Sequence, residues 1–293
     1  VDEIETIGRI LTGQVIDEND QNYFVQIEGT TFLLAKEEIE KPLKLGANFT
    51  GFTYENEHHK LQITRFRPKV QIDQYAFAKV VGQKHDLGVF VDIGLSNKDI
   101  AVSLDELPTV RSLWPKEGDQ LLVCLGVDKK NRLWAHLADE DIFAAIARPA
   151  GSNLKNKNVK AIAYRLKMAG TRLLTENYEL AFMHPSERVE EPRLGQQVEA
   201  RVIGMLRDGS INLSTLPRAY QAIDDDAAMI LALLNRDAEH FLPYTDHSDP
   251  VLIKEFFGIS KGAFKRAVGH LLKARLIVET DAGISLIEDE SNE

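Results

Sequence analysis

The sequence predicts a multidomain chain of three tandem five-stranded β-barrels followed by an α/β winged helix-turn-helix domain. Three observations point there. Short runs of alternating apolar and polar residues, bounded by turn residues, recur in the same order three times. A connector glycine returns at Gly46, Gly118 and Gly195, 72 and 77 residues apart, and a fixed period of that size suggests repeated small domains. From Leu216 the apolar spacing changes to the helical i, i+3, i+4. The expected domains are 1–66, 67–148 with a connector helix, 149–216 and 217–293.

The first unit reads as strands over 7–16, 23–27, 31–35, 48–54 and 60–64, with Leu45-Gly46 as connector. In the second, strands fall over 78–83, 88–93, 99–103, 119–127 and 132–137, and Glu117-Gly118 takes the connector's place. Asp139 can cap a short helix over 140–147, ended by Arg148-Pro149. The stretch from Ala150 to Asn158, rich in Gly, Ser, Asn and Lys, is a linker candidate. The third unit places strands over 159–164, 171–175, 178–184, 196–204 and 210–214 around Leu194-Gly195. In the last domain Asp224–Asp226 precede a helix over 227–235, and an extended piece covers 241–244. Asp249-Pro250 opens a second helix, Ser260 caps a third reaching Ala274, and 277–279 with 284–286 form a hairpin. That element order is the winged helix-turn-helix order.

The strand parities single out two rings. In 88–93, Val89, Val91 and Ile93 share one parity, which puts Phe90 on the face where a polar residue is expected. Phe24 stands on the polar parity of 23–27 in the same way. An outward ring either packs between neighbouring barrels or offers a surface to a flat ligand.

The net charge of −10 argues at face value against nucleic acid, but its distribution does not. Residues 1–66 carry 6 basic and 12 acidic side chains, net −6; 67–140 carry 10 and 11, net −1; 141–216 carry 11 and 8, net +3; 217–293 carry 8 and 14, net −6. Residues 142–175 contain no acid and hold Arg148, Lys155, Lys157, Lys160, Arg165, Lys167 and Arg172. Local field, screened within about 8–10 Å, steers a polyanion more than total charge does. The third predicted helix of the last domain adds Lys261, Lys265, Arg266 and Lys273, with Lys261 and Lys265 on one face. A solvated basic surface is the alternative for both stretches.

A lone cysteine, Cys124, excludes a disulfide framework and a Cys-based zinc site and fits a reducing, cytoplasmic location. No apolar run approaches a membrane span and no signal-peptide pattern opens the chain, so no membrane partner is expected. Asp224–Asp226 and His58-His59 lack metal partners at a convincing spacing, and no phosphate loop or nucleophile elbow is present. Four small domains use up the chain, so neither an enzyme nor a cofactor is expected.

The second unit resembles the S-one RNA-binding repeat, an OB-type barrel, on Asp86-Leu87-Gly88-Val89-Phe90-Val91-Asp92-Ile93-Gly94, Val102-Ser103-Leu104-Asp105-Glu106-Leu107, Glu117-Gly118-Asp119 and Asp128 through Arg132. The third matches on Ala181-Phe182-Met183-His184-Pro185-Ser186-Glu187, Leu194-Gly195-Gln196-Gln197-Val198 and Ser210-Ile211-Asn212-Leu213-Ser214, and the first more loosely. Three such repeats before a winged helix, with the tail from Lys254 to Ile277, resemble the conserved virulence factor B family of Gram-positive bacteria. That resemblance implies an RNA-binding regulator of virulence genes acting after transcription.

It also implies site residues. The repeat's binding face carries two strand aromatics, a His, and an Asp and Arg in the last hairpin. The second unit keeps Phe90, Asp128 and Arg132, with Leu87 and Ser103 at the other positions. The third keeps His184, has Arg172 in place of the strand aromatic, and offers Phe182 on the parity of His184. The first keeps Phe24 and Lys60, with Leu34 at the His position. With Arg165, Lys167, Lys261, Lys265 and Arg266, these form the expected contact set for single-stranded RNA. No unit is complete, so the array is expected to bind better than any one barrel. A DNA-binding transcription regulator using the winged helix is the alternative, with duplex DNA or the ribosome as other partners, and a protein scaffold is a third.

Overall fold

The computed structural model describes residues 6–217 and 225–287. The chain divides into two compact units, Val1–Thr215 and Leu216–Glu293. The first unit contains three closed five-stranded barrels. Strands β1 (Ile10–Glu18), β2 (Asn22–Ile27), β3 (Thr30–Ala35), β4 (Asn48–Glu55) and β5 (Leu61–Thr64) close in the order β1-β2-β3-β5-β4. The second barrel repeats this with β6 (Ala76–Lys84), β7 (Gly88–Asp92), β8 (Ile100–Ser103), β9 (Gln120–Val127) and β10 (Leu133–Leu137). The third uses β11 (Asn158–Lys167), β12 (Gly170–Thr175), β13 (Leu180–Met183), β14 (Gln197–Met205) and β15 (Ile211–Ser214). In each, the third and fifth strands pair in parallel and complete the ring, the arrangement of an OB-type barrel.

The period of the connector glycines has a local cause. The first strand of each barrel pairs with both the second and the fourth, so it must bend sharply. It does so at a β-bulge, between Val15 and Asp17, Val80 and Gly82, and Ala163 and Arg165. Just before each bulge, the carbonyls of Val15, Val80 and Ala163 accept the N–H of Gly46, Gly118 and Gly195 at 2.7, 2.9 and 2.7 Å. Those glycines have φ of +85°, +93° and +79°, a region other residues reach only at a cost. The connector thus pins the bend that lets the barrel close.

Each barrel fills with the parity expected from sequence. Tyr23, Val25 and Ile27 line the first core with Phe32, Leu34 and Ile63. Val89, Val91 and Val102 are fully buried in the second, as are Ala163, Leu173, Met183 and Leu213 in the third.

The barrels are not beads on a string. Phe52 and Tyr54, from the outer face of β4, are fully buried in the core cluster of the second barrel. The Tyr54 hydroxyl donates to Asn97 Oδ1 at 2.8 Å, and Asn97 Nδ2 donates to Gln62 Oε1 at 3.1 Å. Helix α1 (Glu140–Ile146), capped by Asp139 Oδ1 accepting from the Ile142 N–H at 2.9 Å, joins the second barrel to the third. Its Phe143 is buried with Leu122 and Leu174 and stacks on Tyr164 at a centroid distance of 3.8 Å. Tyr164 is the residue at the β11 bulge, so the bend presents the ring that the helix needs. Arg193 and Asp119 add an ion pair at 3.1 Å.

The linker expected over 150–158 is part of the third barrel. The Ala150 N–H donates to Gly209 at 2.9 Å and the Asn156 N–H to Val202 at 2.8 Å, while Ala150 and Leu154 pack on the barrel core. Its polar composition reflects exposed side chains, Asn153, Lys155 and Lys157 among them, on a backbone tied to the barrel at both ends of the stretch.

The second unit packs α2 (Asp225–Arg236), α3 (Pro250–Phe257) and α4 (Lys261–Lys273) against a sheet of β16 (Phe241–Leu242), β18 (Gly283–Leu286) and β17 (Ile277–Thr280). Asp249 and Ser260 cap α3 and α4, and Gly258 ends α3 in the left-handed conformation at φ +72°. Of the acidic triplet, Asp225 and Asp226 occupy the first turn of α2; Asp224 lies outside the described residues. Among the described residues, no helix is long and apolar enough to cross a membrane.

Candidate nucleic-acid interface

Strand register aligns the three barrels residue by residue. One outward row runs across the first, second, third and fifth strands of each. In the first barrel it is Asp17, Phe24, Leu33 and Gln62. In the second it starts Gly82, Phe90, Ala101. There Val102 pairs with Ala135 and both point into the core, so Trp134 and His136 are the outward residues of β10. In the third barrel the row is Arg165, Arg172, Phe182 and Asn212. Arg172, Phe90 and Phe24 therefore share one position, as expected. The His position needs correction. His184 follows β13 as Ser103 closes β8, and the matching residue in the first barrel is Ala35, whereas Leu34 is fully buried. A slip of one residue in a strand moves a side chain to the other face.

The second barrel has the most built surface. Phe90 is half-buried and open on the side of Gly82, where a Cβ would meet nothing within 4 Å. Asp128 Oδ2 accepts from Arg132 Nε at 2.8 Å, Arg132 Nη2 at 2.6 Å and Trp134 Nε1 at 3.2 Å. Its Oδ1 accepts the N–H groups of Lys130 and Arg132 at 2.9 and 3.0 Å. The Arg132 guanidinium beside it, and then these N–H groups, hold the carboxyl well below the usual carboxylate range. The same carboxylate fixes the indole and places the guanidinium 5.8 Å from the Trp134 ring centre. His136 Nδ1 lies 2.6 Å from Glu106 Oε1, and its ring covers Gly126, where a Cβ would stand 2.6 Å from Nε2.

The third barrel is cationic instead. Phe182 is half-buried and its ring lies over Gly170, where a Cβ would be 2.5 Å from the ring edge. His184 is exposed, and its Nδ1 accepts the Ser186 N–H at 3.2 Å, capping the short turn at Pro185–Glu187. Arg165, Lys167 and Arg172 come together, but around a carboxylate. Glu140, at the start of α1, lies 2.5 Å from Lys167, 3.0 Å from Arg172 and 3.7 Å from Arg165. The Lys167 hydrogen bond first, and then the charges of Arg172 and Lys167, lower the Glu140 pKa. Met168, at the tip of the same hairpin, is fully exposed.

In the first barrel Phe24 is half-buried and Lys60 exposed. The end of that row is closed: Gln62 is buried, held by Asn56 at 3.1 Å and by Asn97 of the second barrel. In the winged domain, Lys261 Nζ donates to the Ser248 carbonyl at 2.9 Å and Lys265 pairs with Asp246 at 3.0 Å. Arg266 is exposed on α4. His59 pairs with Glu55 and His58 with Glu57, and among the described residues no three His, Cys, Asp or Glu side chains could hold a metal ion.

Trp134, His136, Asn212 and Glu140 are outward or charged positions that the sequence reading does not single out. The first two were findable, because in Arg132–Leu137 they share the parity opposite Ala135, the argument that identified Phe90. Glu140 was not, since it reaches the cations only through the packing of α1.

Four family models cover most of the chain: an S1 domain over 7–65, the CvfB first S1-like domain over 75–136, the virulence regulatory factor CvfB second domain over 143–217, and the CvfB-like winged helix domain over 228–286. The chain is 40% identical over 266 residues to the uncharacterised protein YitL of Bacillus subtilis, covering 91% of this chain and 89% of YitL. It is 40% identical over 275 residues to conserved virulence factor B of Staphylococcus haemolyticus, covering 89% and 91%. A 1.40 Å crystal structure from Streptococcus pneumoniae, described as a multidomain protein with nucleic acid binding domains, matches with a TM-score of 0.69 and 47% identity, covering 96% of this chain and 98% of that one. On sequence, domain order and barrel architecture together, the chain belongs to the conserved virulence factor B family.

Proposed function

We propose that this protein binds single-stranded RNA in the cytoplasm and regulates gene expression, including virulence genes, after transcription, by binding and not by catalysis. The observation that carries the reading is the outer face of the second barrel. Phe90 and Trp134 stand outward there with Arg132 beside the indole, fixed by the Asp128 carboxylate. Rings accept any unpaired base by stacking, worth about 1–3 kcal/mol per base. A cation next to them meets the phosphate that follows. Bases in a duplex are already stacked on each other, so such a face favours splayed single strands. Family membership and the nucleic-acid-binding relative support the broader reading.

A duplex-binding role for the winged helix draws on exposed Arg266 and Lys273 of α4. Lys261 and Lys265 are already engaged by Ser248 and Asp246, which leaves that helix a thinner cationic face. Titration of labelled single-stranded RNA and duplex DNA at two salt concentrations tests the choice. The single strand is expected to bind tighter, and Phe90→Ala or Trp134→Ala to weaken it. Tighter duplex binding, indifferent to both substitutions, would overturn the proposal.

A further inference from the structure

We propose that Arg165, Lys167 and Arg172 form a phosphate site on the third barrel that Glu140 holds closed, so that RNA engages this barrel by displacing the Glu140 carboxylate. The inference rests on the RNA-binding reading and adds to it a regulating residue from outside the barrel. Three cations from two adjacent strands converge on one side chain. Lys167 and Arg165 meet Oε1, at 2.5 and 3.7 Å, and Arg172 meets Oε2 at 3.0 Å. Two negative oxygens held this way occupy the place that the two non-bridging oxygens of a phosphodiester would take.

The site is also in the right place. Arg172 is paired across the strands with Phe182, the outward ring of this barrel, and Asn212 follows on β15. A nucleotide whose base stacks on Phe182 would bring its phosphate to Arg172. Glu140 is delivered there by α1 and not by the barrel. Asp139 caps the helix, and Phe143, one turn on, stacks on Tyr164, the bulge residue next to Arg165. The carboxylate is therefore set over the cations by packing that persists when its ion pairs break.

The contact is a gate and not a lock. The three cations retain 43–62% side-chain exposure and Glu140 31%, so water and ligand reach the pairs. Exposed pairs of this kind are each worth no more than about fivefold in an equilibrium constant. A polyanion that releases counterions at several contacts together can outcompete one carboxylate. With Glu140 in place the cluster presents a net charge of two, and with Glu140 displaced it presents three.

The test uses the full chain and a labelled single-stranded oligoribonucleotide, titrated across a salt series. Glu140→Gln is expected to bind about 3- to 10-fold tighter at low salt and to steepen the logarithmic salt slope by about 0.7. Adding Arg172→Gln is expected to cancel the gain. A folded Glu140→Gln protein with unchanged or weaker affinity, while the wild type binds, would overturn the gate and leave the RNA-binding reading standing. Binding by neither protein would end both.

A wild-type measurement covers a variant that fails to fold. Followed by carboxyl-carbon NMR, the Glu140 titration is expected to move up to the ordinary carboxylate range when RNA is bound. A midpoint that stays depressed in the complex would show that the carboxylate has not left the cations.

Discussion

The second and third barrels share a fold, a bulge position and a connector clamp, yet their outward rows carry opposite chemistry. The second sets Gly82, Phe90 and Ala101 beside Trp134, with a single guanidinium fixed by Asp128. The third sets Arg165 and Arg172 beside Phe182, with Lys167 nearby. One face is built of rings on small neighbours and the other of charge. Closing the barrel draws on the inward parity and the glycine clamp, which leaves outward positions away from the barrel–barrel contacts able to diverge. The contrast teaches that one repeat can weight its outward face toward rings and the next toward cations while both keep the same inward frame.

The largest effect should come from the ring side of that contrast. The double substitution Phe90→Ala, Trp134→Ala is expected to lower single-stranded RNA affinity by roughly 1–3 kcal/mol for each base that loses its platform, with the salt slope unchanged. A loss confined to the slope would show that the rings act only as supports for Arg132. Arg172→Glu should do the reverse. It is expected to weaken binding about fivefold or more at low salt and to flatten the slope by about 0.7 per lost contact, with little effect at high salt.

Phe143→Ala sharpens the comparison through stability. Removing a buried ring that stacks on Tyr164 is expected to cost about 3–5 kcal/mol, read as a lower unfolding midpoint in denaturant. If the two faces work only as a fixed pair, affinity at temperatures where the protein is folded should fall as well. The smallest effect is expected from acid. The Asp128 carboxyl has its pKa depressed in the folded state, so its support of the hairpin is complete at neutral pH. That support is lost only as the pH falls through the depressed value, below the ordinary aspartate range near about 3.9. Carboxyl-carbon NMR of Asp128 should place its midpoint there, and an ordinary midpoint would mean that Arg132 and Trp134 are not fixed in the free protein.

The barrels were legible because one face of every strand is sealed and a period of two marks it, as Val89, Val91 and Val102 show. The connector glycines were legible for a backbone reason, the positive φ at Gly46, Gly118 and Gly195. The outward positions were legible where local parity decides them, at Phe24, Phe90 and Phe182. Everything that depends on neighbours was hidden. The sequence around Arg165 and Arg172 contains no acid, and the carboxylate that meets them comes from a helix before the barrel. Gln62 alternates like an exposed residue, yet Asn97 of the next barrel covers it. The stretch 150–158 has a linker's composition but is tied down by backbone hydrogen bonds that side-chain chemistry does not announce.

The stack of Phe143 on Tyr164 has a consequence for ligand length. That contact, with the Arg193–Asp119 ion pair, holds the ring face and the charged face at a set spacing, so under the RNA-binding proposal the pair would work as a ruler. Strands too short to reach from one barrel to the next should bind as though only one were present. Past a threshold number of nucleotides, affinity should climb in a step, since the second contact is then made within an already formed complex.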